Sequence, residues 1–203
     1  MDPKWKETVV VLLPKVNNPD QPSKFRPISL CQTIYKIVAK VLVNRVKGIL
    51  SGLISEEQAA FVQGRSISNH CLLGQELMNK FKVSKSAKGM LALKVDMEQA
   101  YDKMSWRTLK LVLSQMGFPP RFSSWVMSCV QDPKFLILIN GQLSEGIMAK
   151  CGFRQGCPLS PYLFILCSEL LSAHIHQNFK ELGVPICRGG DLLSPTFFML
   201  TIF

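Results

Sequence analysis

Two apolar, β-branched segments near the N-terminus constrain the fold more strongly than any other feature of the sequence. They are "ETVVVLLPKV" at residues 7–16 and "KFRPISL" at residues 24–30, and each has the length and composition of a strand. Between them lies "NNPDQPS", which is rich in residues that favour tight turns. A strand, a turn and a returning strand predict a hairpin, with the cations Lys15 and Arg26 near its two arms.

Helical spacing of apolar residues dominates the rest of the chain. It predicts helices over residues 33–50, 69–83, 106–116 and 121–131, followed by a second hairpin over 134–153 with its turn at Asn140-Gly141. The clearest helix follows "RQGCPLSP", with Ser160 as N-cap, Pro161 as first residue and Gly183 beyond the end. The irregular order of strands and helices indicates the α+β class.

The chain carries a large excess of positive charge. It has 24 lysines and arginines against 14 acidic residues, for a net charge of +10. Such an excess suits an anionic partner, usually nucleic acid, but it equally suits plain solubility. Lys36, Lys40 and Lys47 fall on one face of the first predicted helix, as either a solvated face or a binding surface.

Hydropathy and cysteine usage indicate an intracellular protein without a membrane partner. No segment has the apolar length that a membrane span needs. The seven cysteines form no CxxC pair and no zinc-type spacing with histidine. Because most of them lie in apolar surroundings, they are expected to be reduced thiols of the core.

A carboxylate ends the apolar run in "LALKVDMEQAYDKMSW". Asp96 at the open end of a buried strand could bind Mg²⁺, which prefers oxygen ligands, or it could cap a turn. Glu98 and Asp102 could assist Asp96, or they could be exposed acids at the start of a helix. Tyr101 follows closely and could equally be a half-buried anchor.

The segment "GFRQGCPLSP" places two glycines, an arginine and a glutamine in a loop before a helix. Glycine lets backbone approach a nucleotide closely, and a helix start favours anions. The other interpretation is a plain turn between a strand and a helix.

Six motifs, taken in order, resemble reverse transcriptases of LINE-type non-LTR retrotransposons, those of plants most of all. They are "VVLLPK", "FRPISL", "YKIVAKVLVNRVK", "EEQAAFVQGRSI", "ALKVDMEQAYDKMSW" and "RQGCPLSPYLFILCSELLS". The resemblance runs from about residue 9 to the end. It implies a right-hand polymerase fold, with residues 1–90 as fingers, residues 91–203 as an incomplete palm, and the thumb absent.

The resemblance also implies a role for each matching residue. Asp96 would be the palm carboxylate that holds catalytic Mg²⁺, and Asp102 would be a second catalytic candidate that either adds to metal binding or braces the palm. Tyr101 would lie under the sugar of the incoming nucleotide. The remaining contacts implied by the resemblance are with the nucleotide, for Lys15, Arg26, Gln155 and Gly156. Charge and position, rather than the resemblance, make Arg65, Lys36, Lys40 and Arg154 candidates for contact with nucleic acid.

The implied reaction adds deoxynucleotides to a DNA primer on an RNA template, by two-metal chemistry and in the nucleus. In relatives, the segment after "RGG" leads to a hairpin with Ala-Asp-Asp, but here Met199-Leu200 stand in its place. Neither side chain can bind Mg²⁺, so we expect a truncated and inactive copy. The alternatives are a non-catalytic RNA- or DNA-binding remnant and a decayed reading frame with no molecular role.

Overall fold

The computed structural model describes residues 1–83, 97, 99–178, 184–185 and 193–194. Its helices are α1 (Thr33–Lys47), α2 (Ile67–Val83), α3 (Ala100–Lys103), α4 (Trp106–Gln115), α5 (Pro120–Val130) and α6 (Ser160–Asn178). Its strands are β1 (Thr8–Pro14), β2 (Phe25–Cys31), β3 (Lys134–Ile139), β4 (Gln142–Leu143), β5 (Ile147–Met148), β6 (Val184–Pro185) and β7 (Leu193–Ser194).

The central sheet is mixed and is built around β1. Strands β1 and β2 pair in antiparallel fashion from Thr8 opposite Cys31 to Pro14 opposite Phe25, which confirms the first predicted hairpin. On its other side, β1 runs parallel to β3, with Thr8 opposite Phe135. The order is therefore β2-β1-β3-β4, with β5 also paired to β3. Strands β6 and β7 form a separate antiparallel pair.

The second hairpin turns at the predicted dipeptide but returns differently. Asn140 has a φ of 48° and Gly141 a φ of 81°, as a two-residue type I′ turn requires. The returning arm, predicted over residues 145–153, instead starts directly after the turn as β4 and resumes after a break as β5. Between them the Ser144 hydroxyl accepts a hydrogen bond from the backbone N–H of Ile137 at 3.0 Å. The ladder is interrupted because a side chain replaces a backbone acceptor.

The predicted long helices are all present. Helix α1 buries Tyr35, Leu42 and Val46 on one face and contacts α5, while its lysines lie exposed on another face. Helix α2 begins two residues before its predicted start, and α3 was not predicted. The predicted helix end at Gly183 lies outside the described residues.

The chain divides into two compact units. The first comprises residues 1–48 and 99–167, and the second comprises residues 49–98 and 168–203. The predicted fingers and palm, with a boundary near residue 90, stay a prediction. Across the described ranges, no helix has the length and apolarity to cross a membrane. The six cysteines described are all free thiols.

Candidate functional site

The loop that follows β5 is attached at its start to the segment joining α3 and α4. The backbone N–H of Gly152 donates to the carbonyl of Met104 at 2.8 Å, and that of Phe153 donates to the carbonyl of Tyr101 at 2.7 Å. The indole N–H of Trp106 donates to the carbonyl of Gly152 at 2.8 Å. These three bonds hold the loop directly against the predicted catalytic segment.

The end of the same loop is attached to β2. The backbone N–H of Ser29 donates to the carbonyl of Gln155 at 2.7 Å. Gly156 follows with a φ of 105°, and a Cβ there would lie 2.9 Å from the carbonyl oxygen of Ser29. Gly152 is still more constrained, with a φ of 89° and a hypothetical Cβ 2.6 Å from the carbonyl oxygen of Asp102. Both glycines therefore permit close approaches that a side chain would block.

Three of the predicted site residues meet at this loop. The side-chain amide nitrogen of Gln155 lies 3.3 and 3.4 Å from the two carboxylate oxygens of Asp102. Beside them, the ring of Tyr101 stacks on Phe164 with 4.8 Å between centroids and 12° between planes. Burial raises the pKa of Tyr101 to about 12, so its hydroxyl stays protonated at neutral pH. The arrangement joins an exposed carboxylate, an amide and a held aromatic ring.

Arg154 belongs to this loop, but its side chain is buried inside the first unit. Its side chain is 4% exposed, and its guanidinium carbon is 4.1 Å from the centroid of the Tyr35 ring. One terminal nitrogen donates to the carbonyl of Cys129 at 3.3 Å, while Nε and the other terminal nitrogen have no partner among the described residues. The predicted nucleic-acid contact of Arg154 stays a prediction, and its burial supports a role in holding the loop.

The other predicted cations of the first unit are exposed. Lys15 follows β1 directly, and its ammonium donates to the carbonyl of Ser23 at 2.9 Å. Arg26 lies on β2 opposite Leu13. On α1, Lys36 and Lys40 line a groove of about 400 Å³ that Pro158, two residues after the loop, also borders. The groove places these two lysines close in space to the end of the loop.

Arg65 belongs to the second unit, where it organises a loop of its own. Its guanidinium donates to four backbone carbonyls, including those of Gln58 at 2.7 Å and Ile54 at 2.9 Å. The others belong to Ser51 and Ser55. These bonds give Arg65 a structural role in holding residues 51–58, and its contact with nucleic acid stays a prediction.

The predicted metal ligand lies outside the described residues. Asp96, Met199 and Leu200 are all in that part of the chain. Within the described part, no group of three or more His, Cys, Asp or Glu side chains is placed to hold a metal ion. Asp102 is the described member of the predicted acidic pair, and its carboxylate faces the amide of Gln155.

Because two thiols of the first unit are buried, the free energy of unfolding is expected to fall as the pH becomes alkaline. Burial raises the pKa of Cys129 from its ordinary value of 9.0 to about 11 and that of Cys167 to about 12. Above pH 9 the unfolded chain loses these protons while the folded chain keeps them. The free energy of unfolding is therefore expected to fall by roughly 1 kcal/mol per thiol per pH unit between pH 9 and 10.

Urea unfolding at pH 8, 9 and 10 measures this effect. Replacing Cys129 with alanine should flatten the decline, whereas Cys71→Ser should leave it unchanged because Cys71 is exposed. A free energy of unfolding that does not change between pH 9 and 10 contradicts the expectation.

Comparison with known proteins decides the family. The sequence matches the family "Reverse transcriptase (RNA-dependent DNA polymerase)" over residues 13–202. The chain belongs to the reverse transcriptase family. The resemblance of this reverse transcriptase domain to those of non-LTR retrotransposons, expected from its six motifs, is confirmed.

Two curated relatives each contain a segment similar to this reverse transcriptase domain. The "Transposon TX1 uncharacterized 149 kDa protein" of Xenopus laevis is 32% identical over 164 residues, covering 81% of this chain and 12% of the relative. The "Retrovirus-related Pol polyprotein from type-1 retrotransposable element R2" of Popillia japonica is 23% identical over 194 residues, covering 92% of this chain and 27% of the relative. The domain thus spans about an eighth to a quarter of these relatives.

A solved structure confirms the fold. Apo telomerase from Candida tropicalis, truncated from its C-terminal domain, matches with a TM-score of 0.50 at 16% identity. The match covers 91% of this reverse transcriptase domain and 42% of that chain. The predicted α+β polymerase fold is therefore confirmed, while the absence of a thumb stays a prediction.

Sequence reasoning missed two features of the site. The first is Phe164, whose ring stacks on that of Tyr101. Phe164 lies in the apolar helix α6, and the apolar pattern of that helix does not set Phe164 apart from its other apolar residues. Four further cations, Lys103, Arg107, Lys110 and Lys150, surround a pocket beside α4. The spacing of Arg107 and Lys110 in the sequence indicates that both lie on one side of a helix. The other two cations come close to them only in the tertiary structure.

Proposed function

We propose that the chain is the template- and nucleotide-binding part of a retrotransposon RNA-directed DNA polymerase and that it is catalytically inactive. The observation that carries the binding proposal is the doubly attached loop of residues 152–156, which holds Gln155 beside Asp102 and Tyr101. An RNA template, a DNA primer and deoxynucleotide triphosphates are the ligands that the family suggests, and the nucleus is the compartment. The basic net charge of +10 supports contact with their phosphates.

The inactivity proposal depends on the chemistry of the available metal ligands. Divalent ions such as Mg²⁺ are bound by oxygen donors, and phosphoryl transfer uses them to stabilise developing charge. Methionine and leucine at positions 199 and 200 provide no side-chain oxygen. Because a pair of catalytic Mg²⁺ ions needs several carboxylate ligands, we infer that a chain without acids at these two positions does not fit both ions.

Primer extension on an RNA template, with deoxynucleotides and either Mg²⁺ or Mn²⁺, tests the proposal. We expect no extension by the wild-type chain or by Asp96→Ala, because the remaining carboxylates cannot hold both ions. Circular dichroism must show that both samples are folded.

Extension by the wild-type chain that disappears in Asp96→Ala would refute the proposed inactivity. Asp20→Ala is the matched control, since it removes an exposed carboxylate from the turn between β1 and β2. It should retain any extension that the wild-type chain shows. Extension that survives in Asp96→Ala would instead indicate a contaminating polymerase.

A second candidate function is non-catalytic binding of RNA or DNA. The exposed pair Lys36 and Lys40, in a groove also bordered by Pro158 just after the loop, favours it. Binding that weakens steeply as salt rises supports this function, because released counterions drive phosphate contacts. Binding that salt does not change counts against it.

A further inference from the structure

A basic pocket lies at the N-terminal end of α4, apart from the loop residues discussed above. Its volume is about 440 Å³, and four cationic side chains line it. Lys103 comes from the end of α3, Arg107 and Lys110 from α4, and Lys150 from the segment after β5. A solvated charged face of one helix needs no explanation, but these cations converge from three segments.

The floor of the pocket is held in place by bonds between these segments. Trp106 is 9% exposed and donates its indole N–H to the carbonyl of Gly152, close in sequence to Lys150. The hydroxyl of Ser105 accepts from the backbone N–H of Thr108 at 3.4 Å and caps α4. The bases of the cationic side chains are thereby fixed relative to one another.

The electrostatics of the pocket favour an anion. Arg107 and Lys110 are three residues apart and therefore lie on the same side of α4. The N-terminus of a helix adds partial positive charge where these cations converge. Among the described residues that line the pocket, none is acidic. An anion bound between Arg107, Lys110 and Lys150 would offset the mutual repulsion of these three cations.

We infer that this pocket binds phosphate groups. The pocket has room for a few such groups, and arginine suits them because its guanidinium makes paired hydrogen bonds with phosphate oxygens. The phosphates can belong to a nucleic-acid strand that crosses the first unit or to a free polyphosphate. Binding of a nucleic-acid strand rests on the proposed function, whereas binding of a free polyphosphate does not.

Fluorescence anisotropy with a labelled 12-nucleotide oligouridylate tests whether the pocket binds a nucleic-acid strand. Arg107→Gln combined with Lys110→Gln should reduce affinity roughly tenfold at low salt. It should also reduce the slope of log K against log salt by about 1.4, because each lost contact with a single strand contributes about 0.7. Both side chains are exposed, so the fold should survive the change.

Two further variants separate the pocket from general charge. Lys4→Gln combined with Lys82→Gln removes the same charge from exposed positions elsewhere and should leave the slope near the wild-type value. Arg107→Lys combined with Lys110→Arg keeps the charge and should bind almost as well as wild type. Equal losses in the pocket variant and the distant variant would show that net charge alone is responsible and overturn the inference.

Calorimetric titration with inorganic tripolyphosphate separates the two sources. Binding of tripolyphosphate that is lost in the pocket variant supports the site even if the wild-type chain binds no oligouridylate, and the proposed function then fails alone. Oligouridylate binding that depends on the pocket, without tripolyphosphate binding, identifies a strand backbone as the ligand. Absence of both overturns the inference.

Discussion

Gly152→Ala is expected to lower the free energy of unfolding by roughly 3 kcal/mol or more, because strain and a backbone collision combine. The φ of 89° at this position is disfavoured for any residue with a Cβ. In addition, the new Cβ would lie 2.6 Å from the carbonyl oxygen of Asp102, and that oxygen belongs to the backbone. The loop can relieve the collision only by moving away from α3, which breaks its bonds to Met104 and Trp106. Chemical denaturation measures the loss.

Gly141→Ala is the matched control for this prediction. Gly141 also has a positive φ, 81°, but nothing lies within 4 Å of the position that a Cβ would occupy. The control should therefore cost only the strain of the left-handed conformation, about 1 kcal/mol. Equal losses in the two variants would mean that the loop at Gly152 is not held tightly against α3.

Phe164→Ala is expected to cost about 3–5 kcal/mol of stability, because it empties a fully enclosed aromatic site. Phe164 is 1% exposed, and its ring supports the ring of Tyr101 at 4.8 Å between centroids. Its removal leaves a cavity and frees Tyr101 to change orientation. Urea unfolding gives the cost, and the near-ultraviolet circular dichroism signal of tyrosine reports whether its packing is lost.

Phe122→Ala is the comparison. Phe122 stacks on Phe118 with 5.5 Å between centroids but is only half-buried. The Phe122→Ala variant should lose about 1–2 kcal/mol of stability, since Phe122 buries less apolar surface on folding than Phe164 does. A loss at Phe164 no larger than that at Phe122 would contradict the burial of Phe164.

Local chemistry predicted the parts of the fold that depend on neighbouring residues. The Asn140-Gly141 turn and the β1–β2 hairpin follow from turn propensity and β-branching, because the interacting residues are close in the chain. The split of the returning arm did not follow, since it depends on the hydroxyl of Ser144 reaching across to Ile137. Sequence pattern alone does not assign that bond.

The sequence predicted candidate residues for the site but not how they are arranged, and their functional roles stay predictions. Motif resemblance selected Tyr101, Asp102 and Gln155, and the structure brings them together. Arg154 was predicted as a nucleic-acid contact from its place in the glycine-containing loop before α6, and that contact stays a prediction. Its enclosure against the ring of Tyr35 depends on the packing of α1 beneath the loop, which no local pattern reveals.

The parallel pairing of β1 with β3 has a consequence for the order of folding. The two partners, Thr8–Val11 and Phe135–Leu138, are separated by more than 120 residues of chain. At the usual rates of synthesis, β1 leaves the ribosome on the order of ten seconds before β3 exists. During that interval one edge of the nascent β1–β2 hairpin has no partner and can pair with other strands. Contacts of such long range also slow folding, so expression of this domain should benefit from chaperones that shield the waiting edge.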